Sequence, residues 1–243
     1  MGELSDRRAA KKAQTRGLVR RVAQDMFVER GFDAVTIADI AKGADVAVQT
    51  VFNHFATKEE LFFDGRIPWV EGPALAVRTR EPGVPPLVAL RSYLVDEIGR
   101  LLGSFVTLER QSYLATVHGS DLLRAREREL VHEAERLLAD ALTEAWTAGD
   151  ADDAPADDAP ADPSTAAPIA AAVWLAASRV MLVQQRPALH AGVEPDRAAQ
   201  ATMAFADRLL SQMEACLGMI IGLPPALPLP DTGWPQPAAL QAG

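Results

Sequence analysis

The chain has 243 residues, of which 49% are hydrophobic and 6% aromatic, and its formal net charge is -9. This length and apolar content suffice for one or two domains with a substantial core, and the abundant Ala and Leu favour helices over a β-sandwich. The single cysteine, Cys216, excludes an internal disulfide framework and a zinc site built from cysteines.

Positive charge is concentrated near the N-terminus. Residues 1–66 carry 11 lysines and arginines against 10 acidic residues, and the segment from Arg7 to Arg21 holds seven positive charges and no negative one. Such clustering is typical of a surface that binds a polyanion, although a solvated, frayed N-terminus would have the same composition. The charge pattern alone leaves both interpretations open.

A long helix is predicted first. Apolar residues recur at three- and four-residue spacing from Leu18 to Phe27, which predicts an amphipathic helix from about Ala9 to Arg30. Gly31 stands where a left-handed C-terminal cap is favoured, and Phe32 can fold back onto the last turn. The helix is therefore expected to end at Arg30.

Two short helices with a tight turn between them follow. Thr36 and Asp39 resemble a capping box that opens the first, which ends before the turn at residues 43–45. The second covers about Val48–His54. Another capping box then opens a fourth helix, and it is formed by Thr57 and Glu60.

This arrangement matches a helix-turn-helix supported by a longer helix. The apolar positions that would clamp it are Ile37, Ile40, Ala41, Val46, Val51, Phe52 and Phe55. The outer face of the second short helix then presents Val48, Gln49, Thr50 and Asn53. An α-helix fits the major groove of DNA, where Gln or Asn can form two hydrogen bonds to adenine, worth about 1–3 kcal/mol of discrimination. Lys58, beside the exposed N–H groups of the fourth helix, is predicted to contact a phosphate.

These residues resemble the DNA-binding signature of the TetR family of bacterial transcriptional regulators. The matching positions, between Leu18 and Leu61, include Thr36, Ile40, Ala41, Ala44, Val46, Thr50, Phe52, His54, Phe55, Lys58 and Leu61. The resemblance implies an all-α homodimer with an N-terminal three-helix DNA-binding domain and a C-terminal helical domain for ligand binding and dimerisation. It also implies that the second short helix reads DNA; the predicted DNA-binding residues are Thr36, Val48, Gln49, Thr50, Phe52, Asn53, His54 and Lys58.

Three positions depart from the family pattern. Ala47 stands where the family usually caps the reading helix with Ser, a loss of typically about 1 kcal/mol. Asp45 replaces the usual turn Gly, which Asp tolerates with some strain. Phe52 replaces the usual Tyr, so the hydroxyl that commonly touches a phosphate is missing.

The resemblance implies the two domains, and composition predicts the linker and the tail. Residues 1–66 form the DNA-binding domain with a basic arm at 7–21, residues 67–221 form the helical domain, and residues 222–243 form a Pro-rich flexible tail. Prolines interrupt the connection after the fourth helix; they are Pro68, Pro73, Pro82, Pro85 and Pro86. Residues 149–165 are predicted to be a disordered acidic linker, either a solubilising loop or a mimic of a nucleic-acid backbone.

Further helices are predicted over Val88–Leu102, Phe105–Val117, Asp121–Trp146, Ile169–Val183 and Asp196–Ile220. The last two are apolar on more than one side, so they need more partners than one small domain offers. Pairing with their copies across a two-fold axis, as in the family's dimers, would cover both.

The resemblance places an effector pocket among the middle helices. Candidate ligand contacts there are Tyr93, Phe105, Arg110, Tyr113, His118, Trp146, Trp174 and Arg179, although each is also explained as ordinary core or surface. The four histidines are scattered without ligand spacing, so neither a metal nor a cofactor is predicted.

Other functional classes have little support in the sequence. It contains no nucleophile elbow, phosphate-binding glycine loop, HExxH or dinucleotide fingerprint, so no enzyme is predicted. No secretory signal is visible, and the apolar run Ala166–Ala177 is too short to span a bilayer, so a cytoplasmic protein without a membrane partner is expected. The interpretation is a ligand-responsive repressor that binds a near-palindromic DNA operator as a homodimer and is released by a small-molecule effector. The alternative is an interaction module of the same fold without sequence-specific DNA binding.

Overall fold

The computed structural model describes residues 2–104, 107–147, 160, 162–190 and 195–221, and over these ranges the chain forms ten helices and no strand. The predicted all-α fold class is therefore confirmed. The helices are α1 (Gly2–Arg30), α2 (Ile37–Gly43), α3 (Val48–Phe52), α4 (Lys58–Phe63), α5 (Pro68–Arg78), α6 (Pro86–Ser104), α7 (Leu108–Gly119), α8 (Asp121–Thr147), α9 (Pro163–His190) and α10 (Pro195–Ile221).

Helix α1 is the frame on which α2, α3 and α4 are packed. It begins earlier than predicted, and every side chain at positions 5–14 is exposed. Its second half buries Val19, Ala23 and Phe27. The helix ends as predicted: Gly31 has φ +81° and donates its N–H to the Phe27 carbonyl at 3.0 Å, a left-handed position that suits glycine.

Helix α5 corrects the prediction that prolines interrupt the chain after α4. Pro68 occupies the first turn, where its missing N–H costs nothing, and Pro73 is tolerated within the helix on its buried side. Gly72 allows α6 to approach closely, because a Cβ at this position would lie 1.9 Å from the hydroxyl oxygen of Tyr93. The sequence pattern does not predict α5 because prolines usually end a helix. In this helix Pro68 lies in the first turn and Pro73 packs on the buried side.

The C-terminal helices form a bundle in which α8 packs between α5 and α9, and α10 packs against α6 and α9. The bundle is centred on Trp174, Leu138 and Leu142, all fully buried. A second core joins α1–α4 to the bundle, because Tyr113 of α7 and Leu130 of α8 pack into the same cluster as Phe27 and Phe62. The predicted boundary at residue 66 falls between α4 and α5, and the division into two domains stays a prediction.

Helix α9 starts within the predicted linker. Asp162 accepts hydrogen bonds from the Ser164 and Thr165 hydroxyls, both at 2.6 Å, and from the Ser164 N–H at 3.0 Å. This is an N-terminal cap, so residues 163–165 are helical and the predicted linker 149–165 ends too late. Residues 149–159 and 161 of that linker, and the predicted tail 222–243, lie outside the described residues.

Helix α9 is apolar on two opposite sides. One side is buried and includes Trp174, and the other exposes Ile169, Val173, Val180 and Val183. At 3.6 residues per turn these four side chains lie within about 80° of arc. The segment Pro163–Gln184, with mean hydropathy 1.7, is long and apolar enough to cross a membrane by length and composition alone, as core helices of soluble proteins also are. The apolar run Ala166–Ala177 is expected from the sequence to be too short to span a bilayer. That expectation is wrong by length, because the run lies within the longer apolar segment Pro163–Gln184.

Candidate nucleic-acid interface

The turn between α2 and α3 has the geometry that the sequence predicts. Thr36 accepts the Asp39 N–H at 3.1 Å, and the Asp39 carboxylate accepts the Thr36 N–H at 3.0 Å, so the capping box at the start of α2 is complete. Hydrogen bonds from the Thr36 side chain and backbone lower the pKa of Asp39. Asp45 has φ 52°, the left-handed conformation that the family's glycine would adopt without strain.

The inner face of α3 is packed into the core of the N-terminal helices. Val51 is fully buried, and Phe55, just beyond the helix, is buried against the same core as Ile40. The outer face carries Val48, Gln49, Phe52 and Asn53, which are all exposed, whereas Thr50 is half-buried. The interpretation of Phe52 as a clamping residue is therefore wrong: the residue is 46% exposed and lies on the outer face of α3.

Two of the exposed polar side chains are paired with each other. The Gln49 amide nitrogen Nε2 donates to Asn53 Oδ1 at 3.2 Å, an i,i+4 contact on the helix surface. Each amide keeps hydrogen-bonding groups available, because a Gln or Asn side chain has two donors and one acceptor oxygen. The pair presents a patch of donors and acceptors flanked by Val48 and Phe52.

Lys58 is held inside the domain more than the sequence predicts. Its Nζ donates to the Phe32 carbonyl at 2.9 Å and to the Val35 carbonyl at 3.1 Å, and it lies 4.2 Å from the centroid of the Phe32 ring. An ammonium has three N–H donors, so one is left for a phosphate. The phosphate role of Lys58 stays a prediction, and its first role in this fold is to tie α4 to the α1–α2 link.

His54 lies at the edge of the interface and is partly buried. Within the described residues its Nδ1 is buried without a hydrogen-bond partner. Burial, followed by the positive charges of Lys12 and Arg16, lowers the pKa of His54, so the imidazole is neutral in the folded protein at neutral pH. A neutral ring at this place is available for a hydrogen bond and not for an ion pair.

A network of hydrogen bonds and ion pairs that the sequence does not predict joins the ends of α3 and α4 to α1. Arg16 donates to the His54 carbonyl, pairs with Asp64 at 2.5 Å and lies 4.1 Å from the centroid of the Phe55 ring. Arg20 Nη1 lies 3.5 Å from the other Asp64 oxygen, and Gln24 donates to the Asp64 backbone carbonyl at 3.1 Å. The only signal in the sequence is the spacing of Arg16, Arg20 and Gln24 at four residues, which places them on one face of α1.

The basic arm divides into two groups. Arg16 and Arg20 are used in the ion pairs with Asp64. The other five positive side chains between residues 7 and 21 are exposed on α1; they are Arg7, Arg8, Lys11, Lys12 and Arg21. Because exposed lysines and arginines can replace the counterions of DNA, this second group is the part of the arm suited to phosphates.

The predicted ligand contacts are not brought together in one place, because those in the described interior are divided between two cores. Tyr113 is buried in the core beneath α4, where it stacks on Phe62 with ring centroids 5.3 Å apart, and burial raises its pKa to about 12. Trp146 and Trp174 are buried in the other core, with Tyr93 beside them. The guanidinium of Arg110 lies 4.8 Å from the centroid of the Tyr113 ring.

The remaining predicted contacts are on the surface or outside the description. His118 and Arg179 are exposed, and Phe105 lies outside the described residues. Across the described part of the chain, no group of three His, Cys, Asp or Glu side chains has the arrangement of a metal site.

Helix α3 lacks the side-chain cap that α2 has, and this gives a direct test of the capping geometry. Ala47 occupies the N-cap position with φ -70° and ψ 148° and offers no acceptor. We expect Ala47→Ser to raise the free energy of unfolding by about 1 kcal/mol, because the hydroxyl can accept the N–H of Gln49 or Thr50. Urea denaturation measures this change. As a control, Ala13→Ser on the exposed surface of α1 should lower stability slightly because serine is the weaker helix former; an equal gain at both positions would contradict the capping explanation.

Comparison with known proteins identifies the N-terminal segment. The family model described as bacterial regulatory proteins, tetR family, matches residues 19–64, which run from the middle of α1 to the residue after α4. The chain is similar to the HTH-type transcriptional repressor KstR2 of Mycobacterium tuberculosis, with 43% identity over 56 residues, 23% of this chain and 28% of the relative. It is also similar to the HTH-type transcriptional regulator TcmR of Streptomyces glaucescens, with 31% identity over 94 residues, 39% of this chain and 42% of the relative.

The chain spans less than half the length of these curated relatives, and the family model covers the second part of α1 together with α2, α3 and α4. The fold of the rest has a counterpart in Salmonella enterica GusR, a solved structure with 18% sequence identity and a TM-score of 0.51 that aligns with 84% of this chain and 96% of its own. The match to the family model and the similarity to KstR2 and TcmR agree with the residues of α2–α4 described above: residues 19–64 form a DNA-binding segment of the type found in the TetR family of bacterial regulatory proteins.

Proposed function

We propose that this protein is a transcriptional repressor that binds a near-palindromic DNA operator as a homodimer and is released from it by a small-molecule effector. The observation that supports this best is the outer face of α3, where four exposed side chains project from a helix fixed by a buried inner face. An exposed amide pair between two exposed apolar side chains suits base edges in the major groove better than it suits water alone.

In this proposal Gln49 and Asn53 make the hydrogen bonds to bases. Their mutual contact at 3.2 Å positions both amides before DNA arrives, so less side-chain entropy is lost on binding. Val48 and Phe52 meet the apolar surface of thymine methyl groups beside them. Thr36, Thr50 and His54 are proposed to contact the phosphate backbone, because such contacts fix the orientation of a reading helix.

The exposed basic residues of α1 supply the part of the DNA affinity that does not depend on the base sequence. Arg7, Arg8, Lys11, Lys12 and Arg21 are exposed, and phosphate neutralisation by such residues makes binding dependent on salt. A dimer with six to ten phosphate contacts loses roughly 10³–10⁵-fold in affinity between 50 and 200 mM salt.

The second copy is proposed to bind across the exposed apolar side of α9. Ile169, Val173, Val180 and Val183 form a stripe on α9, and Phe205 of α10 is also exposed. Exposed apolar surface that continues along a helix for four turns is typical of a protein interface. A two-fold dimer would set two α3 helices into major grooves about one helical turn apart, or slightly more.

The effector is proposed to act through the core that α4 shares with α7 and α8. Phe62 of α4 stacks on Tyr113 of α7, so a ligand that shifts α7 also shifts α4 and with it the spacing of the two reading helices. A coupling free energy typical of such regulators is about 1–3 kcal/mol.

The test is to select bound duplexes from random DNA with the purified protein and to repeat the binding with two variants. We expect an inverted repeat, and we expect Gln49→Ala and Asn53→Ala each to lose roughly 1–3 kcal/mol of discrimination at particular base pairs. Gln200→Ala, an exposed glutamine on α10, is the matched control and should leave the affinity unchanged. Enrichment of no sequence at low salt would favour the alternative, an interaction module without sequence-specific DNA binding.

A further inference from the structure

The outer face of α3 is divided into a polar row and an apolar row. Gln49 and Asn53 form the polar row, Val48 and Phe52 form the apolar row, and all four residues are exposed. Within each row the two residues are four positions apart, so their side chains lie one above the other on adjacent turns. The two rows are neighbours, because consecutive residues are about 100° apart around a helix.

The rows keep helical geometry over their whole length. Asn53 follows the last residue of α3, but it has φ -69° and ψ -14°, and its N–H donates to the Gln49 carbonyl at 2.9 Å. The side chains of the polar row are joined by the hydrogen bond from Gln49 Nε2 to Asn53 Oδ1 at 3.2 Å. Val51 is fully buried on the opposite side, so the rotation of the helix is fixed and both rows face outward.

The residue types on this face favour one kind of base pair. Arg and Lys are the usual partners of guanine, and Asp and Glu accept a hydrogen bond from cytosine. The segment from Val48 to Asn53 contains none of these four residue types. Gln and Asn suit adenine, whereas apolar side chains, Phe among them, suit the C5 methyl group of thymine. Phe52 is 46% exposed and its side chain has no polar group, so its suitable partner in the groove is apolar.

An A·T base pair presents the matching groups side by side. Its major-groove edge carries N7 and the N6 amino group of adenine on one side and O4 and the C5 methyl group of thymine on the other. A helix that places its amide row over the adenines therefore places the neighbouring apolar row over the methyl groups. Residues four apart are separated by about 6 Å along the helix axis, which corresponds to one or two base-pair steps of about 3.4 Å.

We propose that each operator half-site contains two A·T pairs, adjacent or one base pair apart, with both thymines on one strand, and that α3 binds the C5 methyl groups of these thymines. Gln49 and Asn53 bind the adenines, and Val48 and Phe52 each bind one methyl group. Because 5-methylcytosine carries a methyl group on the same ring atom, cytosine methylation at these positions strengthens binding. The proposal rests on the proposed function, which it deepens by naming the bases and a dependence on DNA methylation.

A uracil scan of the selected operator tests for the methyl contacts. Each thymine in turn, at equivalent positions of both half-sites, is replaced by deoxyuridine, which lacks only the C5 methyl group and still pairs with adenine. We expect binding to weaken roughly 10–20-fold at two positions of the half-site, since each replacement removes two buried methyl groups from the complex. Fluorescence anisotropy of labelled duplexes measures the affinities. Insensitivity at every thymine, or two sensitive positions on opposite strands, overturns the proposal.

Two variants assign the methyl groups to side chains. Phe52→Ala should abolish the uracil effect at one sensitive position, and Val48→Ala should abolish it at the other. Lys12→Ala is the control, because Lys12 is exposed on α1 and a phosphate contact carries no base information. This variant should weaken binding to thymine and uracil duplexes equally. A uracil effect of the same size in all three variants would mean that the methyl groups act through DNA shape, and it would overturn the proposal.

The dependence on methylation is measured with a second pair of duplexes. One sensitive A·T pair in each half-site is replaced by a G·C pair with cytosine in the place of thymine, either methylated at C5 or unmethylated. We expect the methylated duplex to bind roughly 10–20-fold more tightly. The alanine variant that abolishes the uracil effect at that position should abolish this difference as well. Equal affinity of the wild-type protein for the two duplexes overturns the proposal.

The selection from random DNA separates this inference from the repressor proposal. An inverted repeat with G·C pairs at the positions that Gln49→Ala and Asn53→Ala affect keeps the repressor proposal and refutes the two A·T pairs. An inverted repeat that binds equally well with uracil keeps the repressor proposal and refutes the methyl contacts. Enrichment of no sequence at low salt refutes both proposals.

Discussion

Phe62→Ala is expected to lower the free energy of unfolding by about 3–5 kcal/mol. Phe62 is 1% exposed and contacts Phe27, Phe32, Phe63 and Tyr113, with ring centroids between 5.2 and 5.8 Å apart. Its removal leaves a cavity at the point where α1, α4 and α7 meet, and the four surrounding rings cannot all move to fill it. Chemical denaturation followed by circular dichroism measures the loss.

Phe52→Ala is the matched control for this change. The same atoms are removed from the same domain, but the Phe52 ring is 46% exposed on the outer face of α3. Its stability effect should stay within about 0.5 kcal/mol, while operator binding weakens because an apolar base contact is lost. Equal destabilisation by both substitutions would mean that the outer face of α3 is buried, which would also refute the assignment of α3 as the reading helix.

Val173→Glu is expected to convert the proposed dimer to monomers. Val173 lies on the exposed apolar stripe of α9, and a two-fold axis brings two copies of every substitution into one interface. An unpaired carboxylate in such an interface costs several kcal/mol. Analytical ultracentrifugation should show monomers at micromolar concentration, and operator affinity should fall by roughly 10²–10⁴-fold because the two half-sites are no longer bound by one particle.

Leu122→Glu supplies the comparison for the dimer prediction. Leu122 is an exposed apolar residue on α8 and is not part of the apolar stripe on α9. The charge change is the same, so any general effect of added negative charge on DNA binding appears in both variants. A Val173→Glu protein that sediments as a dimer would show that the stripe on α9 faces something other than a second copy.

The N-terminal helices could be predicted closely because their limits are set by neighbouring residues. The cap of Thr36 and Asp39, the left-handed Gly31 and the uncapped Ala47 all act within four residues of the chain. The turn at Asp45 also follows from local backbone preferences. The all-α fold class was predicted from the family resemblance that these N-terminal residues carry.

The features missed by the sequence analysis depend on distant residues. The network of Arg16 and Asp64 joins positions 48 residues apart in the chain. Helix α5 was missed because Pro68 and Pro73 suit its start and its packed side, a distinction that depends on tertiary context. The aromatic residues proposed as ligand contacts are mostly core residues, since large aromatic side chains serve both roles.

The exposed first half of α1 affects the proposed association with DNA. Residues 5–14 contact no core, so their helix is held by local hydrogen bonds alone, and a segment of that length is only marginally helical by itself. In the proposed complex this segment would lie against the duplex, and its ordering would become part of the association. The segment can then adjust to phosphate positions that differ from one operator flank to another, while the frame behind Thr15 stays fixed.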